Sequence, residues 1–532
     1  MVLQFSISLS LHVTGAIVTD VRIGDPVSRC SSRGAAGRTP HYDGAVTSRS
    51  RPDPHPVAPA PFGRRVPEAA GPSGDVPAGD IPPGDVPPVL AVDLGTSHVK
   101  AALIGPDGRI AAEAQVPLTT ERASGGLMQQ EVAEWSRALR TAIASCSVPV
   151  ASAAPRRLAA IALTGQMQDL ILLDEHGDAT HPVVLYSDTR AQEALTELLT
   201  ANPAWAPGIA VAPMPGPDAV PPKLLHLSRT APAAVAAAST MHVSAPGWAA
   251  HALCGAHVCD RLTASTTSAF DPRTDDWIGL RAGNGRSVVP PDLSLPALVD
   301  PGVVGAVTEE AARTYGVAAG TPVVMALGDA GSATDGMVGS APGSAYLHLG
   351  TTGWVAYVDP TPADELPRPV DTGAMVDRHR LAHPSGNLVI ARLPEAGEAL
   401  ERARRDLLGI ADPHTEAAHA VAEAALVRAR ERDPGPGRGD RGPGATAFAY
   451  AATVASLAGD AAGLLAHLEV RPSRVPATGG VVRSRAVRAL LEEAVGAPID
   501  LIPDAEAGLV SCARVAFDAL GITHAVTPLV ER

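Results

Sequence analysis

Two kinds of residue in this 532-residue chain could do chemistry by their type and spacing: carboxylates at the ends of apolar runs, and short turns of glycine and hydroxyl residues. Asp93 is the first carboxylate, in Val89-Leu-Ala-Val-Asp-Leu-Gly-Thr-Ser-His-Val-Lys100. Val89 to Val92 reads as a buried strand, and Val99 to Ile104 can fold back on it as a hairpin. The turn Gly95-Thr96-Ser97 leaves backbone N–H groups and two hydroxyls facing whatever docks there, which suits phosphate oxygens. Asp93 at the strand end could hold a hydrated Mg2+. An ordinary hairpin would read the same way. Lys100 lies two residues into the second strand, where a salt bridge and a phosphate contact are both open. Asp329 is the second carboxylate, in Pro322-Val-Val-Met-Ala-Leu-Gly-Asp329-Ala-Gly-Ser. Small residues after the Gly-Asp pair allow close approach from both sides; a helix cap is the plain alternative. Glycine turns recur at Gly350-Thr351-Thr352-Gly353 and Thr478-Gly479-Gly480.

These groups need strands to end on and helices to back them. After the hairpin, Arg109–Leu118 reads as a strand and Glu131–Cys146 as a helix, with Val132, Trp135, Leu139 and Ile143 at helical spacing. Leu158–Leu163 is a buried strand that runs into Thr164-Gly-Gln-Met-Gln168. Leu170–Leu173 and Pro182–Leu185 are strands, and a helix starts near Ala191. Residues 202–222 are Pro-rich and read as a surface loop, after which Lys223 opens a helix. The second half repeats the scheme: a strand over Ser344–Leu349, helices over 392–408, 415–431, 445–468 and 484–495, a strand over Ile499–Ile502, and a helix over 505–520 stopped by Gly521. Two α/β halves, each with a glycine turn at a strand end, suggest a nucleotide held in a cleft between two lobes.

Composition narrows the classes. Apolar residues are 45% and charged residues 18%, so most of the chain is expected to be globular. The net charge of −14 argues against nucleic acid or an anionic membrane as the main partner. Five scattered cysteines without a Cys-x-x-Cys pair predict reduced thiols and no zinc. No apolar run reads as long enough to span a bilayer, and the cytoplasm is the expected compartment. Of 42 basic residues only Lys100 and Lys223 are lysines. Residues 51–88 hold 12 prolines and end in three near-copies of Gly-Asp-Val/Ile-Pro, so 1–88 reads as a disordered leader. A flexible loop is expected at 433–444.

Six motifs in order give the chain a resemblance to the FGGY family of carbohydrate kinases, of the actin/hexokinase/Hsp70 superfamily, over roughly residues 89–525. Asp93-Leu-Gly-Thr-Ser-His-Val-Lys100 looks like the first phosphate motif. Thr164-Gly-Gln-Met-Gln168 is similar to the Gly-Gln-Met-His element on the sugar side, and Leu185-Tyr-Ser-Asp-Thr-Arg190 to the Trp-x-Asp-x-Arg element. Gly328-Asp329 stands where the family carries its catalytic aspartate. Gly350-Thr-Thr-Gly353 looks like the second phosphate motif, and Thr478-Gly-Gly480 like the adenosine motif. Lys223 matches a Pro-Lys-Leu-Leu element of xylulokinase-like members; a solvated helix surface is its bland reading.

The resemblance implies an α/β fold of two ribonuclease-H-like (actin-like ATPase) domains with the active site in the interdomain cleft. The domains expected are 89–342, with the sugar site, first phosphate motif and catalytic Asp, and 343–532, with the second phosphate and adenosine motifs. It implies ATP- and Mg2+-dependent phosphorylation of a small sugar or polyol, a ketose such as xylulose first, with gluconate, ribulose or glycerol as alternatives. Asp329 would be the general base, also touching substrate, and preferred over Asp335. Asp93, Gly95, Thr96, Ser97, Lys100, Gly350, Thr351, Thr352, Gly479 and Gly480 would hold nucleotide, with Asp93 on the metal. Gln166, Met167, Gln168 and Asp188 would hold the sugar, although Asp188 could instead pair with Arg190. The partners implied are the sugar and ATP, with no nucleic acid and no membrane; a homodimer is allowed. Departures stand beside this: Gln168 replaces the family's His, Val481-Val482 follow the second glycine pair, and no Gly-Glu-Arg-x-Pro loop is visible between 385 and 445. A catalytically inactive sugar- or nucleotide-binding relative, and an ATPase of the Hsp70/actin type, are the rival readings.

Overall fold

The opening apolar run forms the strand Val89–Leu94, which pairs antiparallel with His98–Ile104 on one side and parallel with Ala160–Gly165 on the other. Its residues are buried on both faces, as a continuous apolar run in the middle of a sheet requires. Leu90, Val92 and Leu94 pack with the helix Val132–Ser147, and Val89 and Ala91 pack towards the opposite layer. Ala160–Gly165 pairs parallel in turn with Pro322–Met325. The full sheet runs Gly302–Ala306, Pro322–Met325, Ala160–Gly165, Val89–Leu94, His98–Ile104, Ile110–Pro117.

A second six-stranded sheet uses the same plan. Ala345–Leu349 pairs antiparallel with Gly353–Asp359 and parallel with Val475–Thr478, which is followed in parallel by Ile499–Leu501. Its order is Arg378–His383, Gly386–Arg392, Gly353–Asp359, Ala345–Leu349, Val475–Thr478, Ile499–Leu501. Each lobe is therefore an antiparallel hairpin extended by two parallel strands, the ribonuclease-H-like arrangement. A smaller five-stranded sheet, Glu121–Ala123, Leu127–Gln130, Val183–Val184, Met167–Leu173, Thr240–Ser244, leans on the first lobe.

The computed structural model describes residues 86–147, 157–205, 215–362, 365, 378–393, 395–412, 415–431, 443–470, 473–502 and 506–531. The leader expected at 1–88 lies outside these except for its last three residues, and the loop expected at 433–444 except for its last two, which already belong to a helix. Residue 392, expected to open a helix, instead ends the strand Gly386–Arg392, and the helix begins at Gly397. The hairpin 378–392 was missed because its first strand is polar, with Arg378, His379 and Arg380 in succession.

The helix Pro443–His467 is long and apolar enough to cross a membrane by length and composition, which qualifies the expectation that no such run exists. Its Tyr450, Val454, Leu457, Ala461 and Leu464 are buried in the core of the second lobe. The last helix, Ala507–Ala519, lies on the first-lobe sheet beside the helix Asp329–Val338, and both share one apolar cluster with Val89, Ala91, Tyr346 and Trp354. The opening hairpin and the second-lobe meander thus pack on common ground.

Candidate active site

Parallel strands end on the same edge of a sheet, and the first lobe uses that edge to gather its polar groups. Asp93 stands beside Thr164 in the parallel register, and Leu94 beside Gly165. The neighbouring strand Pro322–Met325 leads through Leu327 and Gly328 to Asp329, the first residue of its helix. Thr164 fixes this juncture by donating its hydroxyl to the Leu327 carbonyl at 2.7 Å. Asp260, wholly buried, accepts from the backbone N–H of Thr263 at 2.9 Å and of Gly328 at 3.2 Å. Met167 packs on Gly328 so closely that a Cβ there would sit 2.3 Å from its sulfur. Asp329 is half-buried, and its Oδ1 accepts from the Ala330 N–H at 2.7 Å.

The carboxylates at this edge are crowded and short of counter-charge. Asp93 is pushed up to about 6, mainly by burial and further by Glu506, against the lowering pull of Lys100. Asp329 is raised well above the usual carboxylate range, by burial first and then by Asp93, Asp169 and Asp260. Oδ1 of Asp93 and Oδ2 of Asp260 are buried and find no hydrogen-bond partner among the described residues. Buried acceptors left unpaired cost free energy that a cation or a donor would recover. Among the described residues no group of three or more His, Cys, Asp and Glu forms a ready metal cage. A Mg2+ bound at Asp93 would therefore complete its shell with water and phosphate oxygens, which is how that ion usually binds.

Around the first turn, Thr96 donates its hydroxyl to Gln166 Oε1 at 3.0 Å, and Gln130 donates to the Thr96 carbonyl at 2.7 Å. Gln166 Nε2 donates to Gln130 Oε1 at 3.3 Å, which also accepts from the Trp135 indole at 2.8 Å. The Gln166 amide is thus occupied by the protein and sets the turn. Lys100 forms a salt bridge with Glu506 at 2.8 Å, the first of its two open readings. Ser97 is exposed at the tip, and Gly95 is pinned by its N–H to the His98 carbonyl at 3.1 Å.

In the segment expected to face the sugar, Gln168 takes a left-handed φ of 63° and donates Nε2 to the Asp218 carbonyl at 3.0 Å. A non-glycine residue held in that region marks local strain, a frequent companion of binding sites. Asp188 turns inward: it accepts from the Met128 N–H at 2.9 Å and from Arg190 Nε at 2.9 Å. Lys223 is wholly buried in the helix Val220–Thr230, which excludes the solvated-surface alternative, and donates to the carbonyls of Gln168 at 2.7 Å and Leu185 at 2.9 Å. Burial lowers its pKa and raises that of its neighbour Asp169. Asp169 accepts from the Tyr186 N–H at 3.1 Å. The two residues therefore join the segments that carry Gln168 and Tyr186. Tyr186 brings its hydroxyl to the Thr96 side chain and into the field of Asp329.

In the second lobe, His348 stands beside Thr478 in the parallel register. Gly479 follows with φ +104°, and a Cβ on it would lie 2.3 Å from the Leu349 carbonyl. Gly165 repeats this in the first lobe, where a Cβ would lie 2.5 Å from the Leu94 carbonyl. The turn after Leu349 is backed by the helix Gly397–Leu408, whose Gly397 and Glu398 N–H groups donate to the carbonyls of Gly350 and Thr351, both at 3.0 Å. Thr351, Thr352 and Gly480 are exposed.

Asp169, Tyr186, Asp260 and Glu506 were not picked out by sequence reasoning. An acid heading the apolar run Asp169-Leu-Ile-Leu-Leu was the one available signal; the others converge only through the tertiary fold. Asp335, the rival of Asp329, is buried, accepts from Ser340 at 2.7 Å and lies 3.6 Å from Arg514.

Residues 88–336 match the model of the FGGY family of carbohydrate kinases, N-terminal domain. The chain is 30% identical over 289 residues to a xylulose kinase of Streptomyces rubiginosus, a match covering 52% of this chain and 55% of that one. The chain thus spans about half the length of the relative it matches. In fold it is similar to the crystal structure of xylulose kinase from Rhodospirillum rubrum, with a TM-score of 0.68, 22% identity, and 83% and 92% of the two chains covered. It is also similar to gluconate kinase from Lactobacillus acidophilus, with a TM-score of 0.67, 18% identity, and 84% and 91% covered. The two-lobed actin-like ATPase fold is common to them.

Proposed function

We propose that this chain, whose residues 88–336 match the N-terminal domain model of the FGGY family of carbohydrate kinases, is a member of that family and transfers the γ-phosphoryl group of ATP to a hydroxyl of a small sugar or polyol. A ketose such as xylulose is the leading acceptor, given the xylulose kinase relatives. The observation that carries the reading is that the strands leading to Asp93 and Asp329 flank Ala160–Gly165 in parallel and bring the two carboxylates into each other's field, with Asp93 Oδ1 buried and unpartnered.

In this reading Asp329 accepts the proton of the acceptor hydroxyl as its oxygen bonds to phosphorus. Asp93 would hold Mg2+, which when bound supplies charge neutralisation for the phosphates. That positive charge and the helix N-terminus at Asp329 both favour the carboxylate form that a base needs. The Thr96 turn on one lobe and the Gly350–Thr352 turn on the other would present N–H and hydroxyl donors to the phosphates. Gly479 and Gly480 would let the adenosine approach the second-lobe strand end. Gln168 and Tyr186 would meet the acceptor in this reading, braced from behind by Asp169 and Lys223.

The test is an ADP-release assay with Mg2+-ATP over ketoses, polyols and aldonates. Sugar-dependent release supports the reading. Release without sugar dependence would point to a simple ATPase, and sugar binding without release to an inactive relative.

A further inference from the structure

The turn that carries Gly95, Thr96 and Ser97 is gripped from behind by one side chain. Gln130 ends the strand Leu127–Gln130 and is 2% exposed. Its amide is fully used. Nε2 donates to the Thr96 carbonyl at 2.7 Å and to Thr120 Oγ1 at 2.9 Å; Oε1 accepts from the Trp135 indole at 2.8 Å and from Gln166 Nε2 at 3.3 Å. Two of these partners fix which way the amide faces, because an indole N–H can only donate and a carbonyl can only accept. Trp135 is itself held in the first-lobe core, on the helix Val132–Ser147. Gln166, which also takes the Thr96 hydroxyl at 3.0 Å, closes the ring from the strand end.

A trans peptide points its C=O and the N–H of the next residue in opposite directions. With the Thr96 carbonyl drawn inward to Gln130, the Ser97 N–H is turned outward at the exposed tip, where it finds no partner among the described residues. The second lobe repeats this with backbone in place of a side chain. There the N–H groups of Gly397 and Glu398 hold the carbonyls of Gly350 and Thr351, which turns the N–H groups of Thr351 and Thr352 outward.

We propose that Gln130 is a positioning residue for the nucleotide: it holds the Thr96–Ser97 peptide in the orientation that offers the Ser97 N–H to a phosphate oxygen. The proposal rests on the kinase reading above. Without the Gln130 donor the Thr96 carbonyl loses the contact that keeps it inward. Rotation of that peptide then replaces a donor facing the phosphates with an acceptor, which repels them.

The experiment is calorimetry of the full chain with Mg2+-ADP and, separately, with xylulose, for the wild type, Gln130→Met and Gln130→Glu. Gln130→Met should weaken Mg2+-ADP binding by on the order of 10-fold while xylulose binding stays within about threefold. Gln130→Glu should show a pH signature that the wild type lacks. Its neutral acid can donate to the Thr96 carbonyl and its carboxylate cannot, so its Mg2+-ADP affinity relative to wild type should fall by about 10-fold between about pH 6 and about pH 8. Mg2+-ADP bound by Gln130→Met as tightly as by the wild type overturns the proposal. So does an equal loss for ADP and xylulose, the mark of a merely structural residue. If Gln130→Met does not fold, the pH profile of Gln130→Glu decides, and a flat ratio overturns the proposal. If no sugar is bound or phosphorylated, the kinase reading fails separately and the nucleotide measurements decide. A wild type that binds no nucleotide overturns the proposal.

Discussion

Asp93 beside Thr164 in the first lobe and His348 beside Thr478 in the second occupy the same place in the same strand plan. Each threonine is followed by a glycine, Gly165 or Gly479, that lies against the carbonyl of the adjoining strand end. Across the hairpin, Asp93 pairs with Lys100, whereas His348 faces Trp354 and stacks on it at 3.8 Å with an 11° tilt. The first lobe therefore fills this position with ions, the second with a ring stack. A stack is satisfied by its own lobe, but the Asp93 carboxylate is left with an unpaired buried oxygen. The difference teaches that one strand plan can carry a self-satisfied ring stack in one lobe and an unpaired buried carboxylate in the other, according to the side chains placed on it.

The comparison can be broken most severely at Asp329. Asp329→Asn should lower kcat about a thousandfold while ATP affinity, measured by calorimetry, stays within about threefold. Asp93→Asn should lower turnover by about a hundredfold, yet raise the Tm of the metal-free protein by about 2 °C, because it removes a buried charge. A fall in that Tm would mean that the first lobe is as self-satisfied as the second. Gly479→Ala and Gly165→Ala should each cost about 1–3 kcal/mol in denaturant unfolding, since both meet backbone carbonyls. Equal costs would confirm that the glycine rule is common to the lobes.

The dependence on pH sharpens the contrast further. The pKa of Asp93 in the fold is about 6, above its ordinary 3.8, so its contribution to stability is complete below about 4 and is lost as pH rises through 6. Added Mg2+ should recover that loss. The gain in Tm on adding Mg2+ should therefore grow between pH 5 and pH 7 in the wild type and stay flat in Asp93→Asn. Activity should rise with pH as Asp329 loses its proton. The smallest effect is expected from Asp335→Asn, which should leave kcat within about threefold, because its partners, Ser340 just past its helix and Arg514 on the helix Ala507–Ala519, serve the packing of the two helices.

The parts of this arrangement that local pattern specifies were legible in the chain. Val89–Ile104 read as a hairpin because two apolar runs flank a turn of small residues, and Pro322–Asp329 as a strand entering a helix because valines give way to Gly-Asp and alanines. Lys223 was not legible. Its helix is amphipathic, and nothing within it shows that Asp169 and two carbonyls from distant segments will enclose the ammonium. The inward turn of Asp188 was half legible, since Arg190 lies two residues away; the Met128 N–H that completes its shell comes from another strand. The Gln166 amide shows the same limit: its partners Thr96 and Gln130 lie 70 and 36 residues away.

The helix Ala507–Ala519 has a consequence of its own. Its start closes on the first-lobe strand ends: Glu506 grips Lys100, and Gly508 faces Thr164 and Asp93. The sequence in between, which builds the second lobe, is spliced into the first as an insert whose entry helix, Asp329–Val338, and exit helix lie side by side. This double strut ties Asp329, at the foot of one helix, to the Asp93 strand end, which the start of the other helix covers. A chain cut short before Ala507 would keep every residue of the opening motif and still strip the cover from its aspartate.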